Sequence, residues 1–242
     1  MPTPALALLV LLLTAPPEVD VAGWEAGAVR SPSSPGAWGG PRTGKEATLS
    51  DRVADYAIRA VLDPTKHTIT GTEKLTWRNR SDVAIRSVYL HLYLNAFESE
   101  GSTFQKEARR YGAFRTGVET KDGEWGWIEL RGVAQGGRPA AWSFVHPDGG
   151  PETDHTVVRV DLPVPVAPGG TTTLEIEFFD QLPRVVARTG WFDAFHLAGQ
   201  WYPKIGVLEL PGERGATRPR WNAHEMHFHS EFYADFGAYD LE

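Results

Sequence analysis

The run Tyr56-Ala57-Ile58-Arg59-Ala60-Val61-Leu62-Asp63 places Tyr56, Ile58, Ala60 and Leu62 at every second position. A period of two is that of a strand with one face turned to a core. Asp63-Pro64 opens a turn, since proline presets the backbone angle that a turn's second residue needs. The β-branched and aromatic run Thr68 to Asn79, with Leu75 and Trp77 on a shared face, reads as the antiparallel partner in a hairpin. Ser87 to Leu94 alternates again, with Val88, Leu90, Leu92 and Leu94 on one face. Three strands with a common apolar face are expected to form one sheet.

Glu98 to about Lys121 is polar and mixed, so a long loop is expected there, with Phe104 to Arg110 as the one stretch able to form a short helix. Gly126 to Val133, Trp142 to Val145, His155 to Leu162 and Thr171 to Phe179 are each short, β-rich and bounded by Gly, Pro or Asp, which predicts four more strands. Pro163 to Gly170 is an extended edge or connector, because prolines remove ladder donors. The fold class that follows is all-β: a multi-sheet, saddle-like or sandwich-like domain of mostly antiparallel short strands with little helix. It is expected over residues 51–242. The end, Tyr239-Asp240-Leu241-Glu242, looks like the opening of a strand without a terminating turn, so the domain is expected to be incomplete at its C-terminal side.

Ahead of this domain, Ala5 to Ala15 is an apolar run of signal-peptide length, too short to span a bilayer. Residues 1–22 read as a signal peptide, which makes the protein secreted or periplasmic with no membrane span after its removal. Residues 23–50 are rich in Gly, Ser and Pro and form a linker.

Composition narrows the chemistry. The net charge of −7 arises from 31 acidic and 24 basic residues scattered without long runs, so no basic stripe exists to neutralise phosphates and nucleic acid is not an expected partner. The chain has no cysteine, which excludes disulfides, thiolate zinc sites and cysteine nucleophiles. There is no nucleophile elbow, phosphate loop or dinucleotide fingerprint. His224-Glu225-Met226-His227 puts the second imidazole three residues from the first, whereas a helical zinc protease needs His-Glu-x-x-His. In a strand, His227 and His229 would share a face and Glu231 could join them at a metal. That spacing also arises by chance in a His-rich strand, and two ligands without a fixed third do not make a centre. No metal site is expected from these residues. The density of aromatic residues over Trp191 to Tyr202 and Trp221 to Tyr239 reads first as core packing.

Asp55-Tyr56-Ala57-Ile58, Leu62-Asp63-Pro64, Thr70-Gly71-Thr72-Glu73, Trp77-Arg78-Asn79 and Leu90 to Phe97, in that order, resemble the opening of the aminopeptidase N and leukotriene hydrolase family of zinc metallopeptidases, in particular a bacterial branch. Gly199-Gln200-Trp201-Tyr202-Pro203-Lys204-Ile205-Gly206-Val207, Trp221 to His224 and Glu231 to Asp240 resemble its continuation. The resemblance implies an N-terminal β domain that packs on a thermolysin-like catalytic domain and closes one side of its cleft. The family's zinc ligands, catalytic Glu and Gly-x-Met-Glu-Asn loop lie downstream of this region, so no cofactor is expected in this chain and zinc is expected in the missing catalytic domain. That domain and a peptide substrate are the implied partners. By position the resemblance points to Asp193 and Gln200 as side chains near the substrate's free amine, in neither case within the family's Glu-x-x-x-Ala-Arg context. Two other classes compete: a free-standing secreted β-sandwich binding module for carbohydrate or peptide, for which alternating exposed aromatics such as Trp125 and Trp127 would speak, and a scaffold or adhesion domain without a cleft.

Overall fold

The computed structural model describes residues 52–111 and 120–242, all within the compact unit Leu49–Glu242. The apolar run and the linker expected over residues 1–50 lie outside the described residues.

The alternating segment forms β1 (Ala54–Asp63), paired antiparallel along its length with β2 (Thr68–Arg78) as expected. The third alternating segment forms β3 (Ile85–His91) and does not join them. The far edge of β2 is occupied from Thr68 to Arg78 by β8 (Thr171–Gln181), so no ladder donors remain for β3. Asn79 turns the chain away instead. Its Nδ2 donates to the carbonyls of Val83 (2.7 Å) and Val166 (3.1 Å), and its Oδ1 accepts from the Ser81 amide (3.0 Å).

A 3-10 turn over Tyr93–Phe97 and helix α1 (Thr103–Tyr111) follow β3, so the expected loop is helical over part of its length. The Ser102 hydroxyl accepts from the Gln105 amide (3.2 Å), which is the cap that a Ser followed three residues later by Gln provides. The remaining strands are β4 (Trp127–Gln135), β5 (Arg138–Pro139), β6 (Ala141–Phe144), β7 (Val157–Val166), β9 (Gly190–Phe192), β10 (Phe195–Leu197), β11 (Lys204–Ile205), β12 (Val207–Glu209), β13 (Arg220–Asn222) and β14 (Tyr239–Leu241). Strand β7 runs through Pro163 and Pro165 to Val166, which pairs with Ile85 beyond a register shift. The prolines are thus carried inside a strand, at the place where its ladder to β3 is irregular.

The described strands form sheets in the orders β14-β1-β2-β8-β4-β5 and β11-β3-β7-β6, with two small two-stranded ribbons, β9-β10 and β12-β13. All pairings are antiparallel except that of β14 with β1. The inward side chains of both larger sheets, among them Tyr56, Leu75, Trp77, Leu174 and Phe178 from one and Val88, Leu90, Val158, Val160 and Ile205 from the other, share one apolar core. The domain is all-β with a short helix, as the sequence pattern predicts. Gly71 is needed opposite Phe178, because a Cβ there would stand 2.2 Å from the phenyl ring.

Candidate functional site

Four of the segments with family resemblance meet around one lysine. Strand β11 pairs Lys204 with His91 of β3 and leaves Lys204 only 7% exposed. Its Nζ donates to Gln200 Oε1 at 2.5 Å and lies 5.2 Å from the centre of the Tyr202 ring. The Tyr202 ring meets that of Tyr56 edge-on at 5.3 Å, and Tyr239 stacks on Tyr56 at 4.9 Å. The Tyr202 hydroxyl donates to that of Tyr239 (3.2 Å), and the Ile205 amide donates to the Tyr56 hydroxyl (3.2 Å). Beneath them lies Glu73.

Glu73 occupies a core-facing position of β2, between Gly71 and Leu75, and is 1% exposed. Neither of its carboxylate oxygens has a hydrogen-bond partner. Burial raises its pKa well above the ordinary carboxylate range, while the charge of Lys204 pulls it down. Burial likewise pushes Lys204 down to about 8, opposed by the Glu73 charge. At pH 7 Lys204 is therefore still a cation. Burial raises the phenols of Tyr56 and Tyr202, and Glu73 adds to the effect, so both stay protonated.

Next to this cluster a narrow crevice is lined by Tyr93, Phe97, Phe104, Phe228 and Phe232 together with Arg188 and Gln200. Its free space is about 30 Å³, room for one water-sized group. Two of its lining residues carry backbone strain: Ala187 and Gln200 take positive φ (51° and 54°), a conformation that costs a non-glycine residue of order 1 kcal/mol and recurs at functional positions. Gly199 must be glycine, since a Cβ there would stand 2.1 Å from the Arg188 carbonyl oxygen.

Asp193 lies elsewhere. It forms the exposed tip of the β9-β10 hairpin, whose side chains Phe192, Phe195 and Leu197 are 58%, 60% and 43% exposed. Trp191 anchors that hairpin by stacking on His67 at 3.8 Å, and His67 Nδ1 shares a hydrogen bond with His196 Nε2 (2.9 Å). Of the two side chains implied by the resemblance, only Gln200 is at the crevice.

The candidate metal ligands are not brought together. His227 is held between Glu107 of α1 (Nδ1 to Oε1, 2.8 Å) and Asp148 (Nε2 to Oδ2, 3.1 Å). Hydrogen bonds to these two carboxylates outweigh desolvation and raise its pKa. His229 packs between Tyr111 and Phe228, and Glu231 pairs with Arg188 at 2.6 Å. Among the described residues no group of three or more His, Cys, Asp or Glu is arranged to hold a metal ion. The described residues do not fit a zinc centre. Trp127 is exposed and Trp125 half-buried, and no ring contact joins the two.

Glu73 and Lys204 are the site residues that sequence reasoning missed. Glu73 was detectable: in the run Ile69, Gly71, Glu73, Leu75, Trp77 it falls on the apolar parity of a strand. Lys204 gave no comparable signal.

No protein-family model matches the chain, and no curated protein matches it. Among solved structures it is similar to an M1 zinc metallopeptidase from Deinococcus radiodurans, at 17% identity over 73% of this chain and 31% of that one, with a TM-score of 0.34. A mutant of that kind from the same organism, bound to a Tyr-Ser-Ala substrate, gives 18% identity over 64% of this chain and 30% of that one, with a TM-score of 0.37. Yeast LTA4 hydrolase in complex with bestatin gives 13% identity over 57% and 17%, with a TM-score of 0.28. The match spans about a quarter of a two-domain M1 zinc metallopeptidase mutant bound to L-tryptophan, covering 26% of its chain.

Proposed function

We propose that residues 51–242 are the non-catalytic N-terminal domain of a zinc metallo-aminopeptidase-like protein, packing on a catalytic domain and helping to position the amino end of a peptide for hydrolysis there. The observation that carries this reading is the convergence at Lys204. Tyr56, Glu73, the Gly199–Val207 segment and Tyr239 come from four separate stretches that resemble the family in sequence, and they meet in one cluster. Chance likenesses scattered along a chain have no reason to assemble.

The surface is in keeping with it. Phe192, Phe195 and Leu197 on the hairpin, and Phe236, Tyr239 and Leu241 near the end of the chain, are all more than two-fifths exposed, the kind of apolar surface that a second domain covers. A polar side chain such as Gln200, held in the strained connection between β10 and β11, orients a peptide without doing chemistry. Export, expected from residues 5–15, belongs to the same proposal.

The test is the reading frame after the Glu242 codon, followed by an assay of the gene product. Continuation into Gly-x-Met-Glu-Asn and His-Glu-x-x-His, with chelator-sensitive aminopeptidase activity in that product and none in residues 51–242, is the expected result. A stop codon followed by unrelated sequence would overturn the reading.

A further inference from the structure

We propose that Gln200 meets its ligand as a hydrogen-bond donor, and that Lys204 is the positioning residue that makes it one, so that the crevice takes a carbonyl or carboxylate oxygen and not an ammonium group. This rests on the reading above insofar as a peptide is expected to reach Gln200. A lysine ammonium has three donors and no acceptor. The amide atom facing Lys204 Nζ at 2.5 Å is therefore the oxygen, which leaves the Gln200 NH₂ to face away from the lysine. Among the described residues no acceptor is hydrogen-bonded to that NH₂.

The orientation is held from behind as well. The Gly199 amide donates to Thr189 Oγ1 (3.3 Å), and Gly199 fits against the Arg188 carbonyl only because it lacks a Cβ. Gln200 itself is fixed in the left-handed region. Lys204 is fixed by its β11-β3 pairing and by the Tyr202 ring, with the buried Glu73 carboxyl supplying the opposing field. An ammonium brought to Gln200 would have to share its one acceptor oxygen with Lys204 and would meet a like charge behind it, which is unfavourable. A single acceptor oxygen suits both the donor and the space of about 30 Å³.

The experiment uses the full chain, uniformly labelled with nitrogen-15, with the Gln200 side-chain NH₂ resonances identified by their loss in Gln200→Ala. N-methylacetamide, acetate and ethylammonium are titrated separately at the same ionic strength. The expected result is a saturable shift of these resonances with N-methylacetamide, acetate or both, which also separates carbonyl from carboxylate recognition, and none with ethylammonium. Lys204→Met should abolish the shift and Lys204→Arg retain it. A saturable shift with ethylammonium, no shift with either acceptor, or an unchanged response in Lys204→Met would each overturn the proposal. If Lys204→Met does not fold, the wild-type selectivity and Lys204→Arg decide it. A catalytic domain found downstream with a negative titration removes this proposal alone. A positive titration with unrelated downstream sequence removes the peptidase reading alone.

Discussion

Asp154 and Asp180 are both wholly buried, yet their surroundings treat a carboxylate in opposite ways. Asp154 lies in the loop before β7. Its Oδ2 accepts from the Thr103 amide at the start of α1 (2.7 Å), and its Oδ1 from the amide (2.9 Å) and hydroxyl of Thr156. Asp180 is an inward residue of β8 between β2 and β4, and neither of its oxygens has a partner. The reason is the backbone. In a regular sheet the ladder consumes the amides of both neighbouring strands, so an inward carboxylate finds none to accept from. In a loop or at a helix start amides are left over, and a carboxylate satisfies them. The same contrast separates Glu225, which accepts from the Asp148 and Gly150 amides at 2.9 Å each, from Glu73 in β2. A buried acid in the irregular half is a staple. In the six-stranded sheet it is a cost, retained at Glu73 beside the candidate site.

The largest expected effect breaks a staple. Asp154→Ala leaves buried amides unsatisfied at two elements and should lower unfolding free energy by about 3 kcal/mol, read as a lower urea midpoint with an unchanged slope. Asp154→Asn keeps some acceptors and should lose less. An Asp154→Ala loss below about 1 kcal/mol would mean that the loop re-solvates and the contrast is wrong.

A comparable effect comes from His91, the buried imidazole of β3, whose pKa burial lowers from 6.5 to about 4. Its folded pKa lies below the unfolded one, so the unfolded chain takes up the proton first. Stability is full above pH 6.5 and falls as pH drops through 4, by about 3 kcal/mol at 1.36 kcal/mol per unit. Thermal midpoints of wild type and His91→Gln across this window should converge toward acid. Parallel curves would contradict the assignment.

Asp180→Asn is expected to act more weakly and in the other direction. Burial raises the folded pKa well above the ordinary value of 3.8, so the native state holds its proton longer than the unfolded chain. Wild-type stability from this group is present below pH 3.8 and is lost as pH rises toward the raised value. Asp180→Asn should therefore be more stable than wild type by about 1–2 kcal/mol at pH 7 and equal to it near pH 3.5. Calorimetry at the two pH values separates this from a loss at both, which would reveal an unrecognised partner for Asp180.

Much of the sheet was legible from the chain. The alternation at Tyr56 to Leu62 and Leu75 to Trp77 identified β1 and β2 and their inward faces, because side-chain parity in a strand is a local property. Helix α1 was readable only as a possibility. Its cap Ser102 and Gln105 were in the sequence, but its amides are also capped by Asp154, far along the chain. At the site, the resemblance pointed to Gln200, which lines the crevice, and to Asp193, which lies apart on the hairpin tip.

By itself, then, the sequence determined the strand-rich class, the hairpin at Asp63-Pro64 and which side chains face inward, all consequences of backbone geometry acting over a few residues. Only the tertiary structure decided that β8 occupies the edge of β2 and sends β3 to a second sheet, that Glu73 has no donors around it, and that Lys204 fixes the Gln200 amide. Each of these depends on which backbone donors remain free once distant strands have paired, and that is settled when the chain closes on itself.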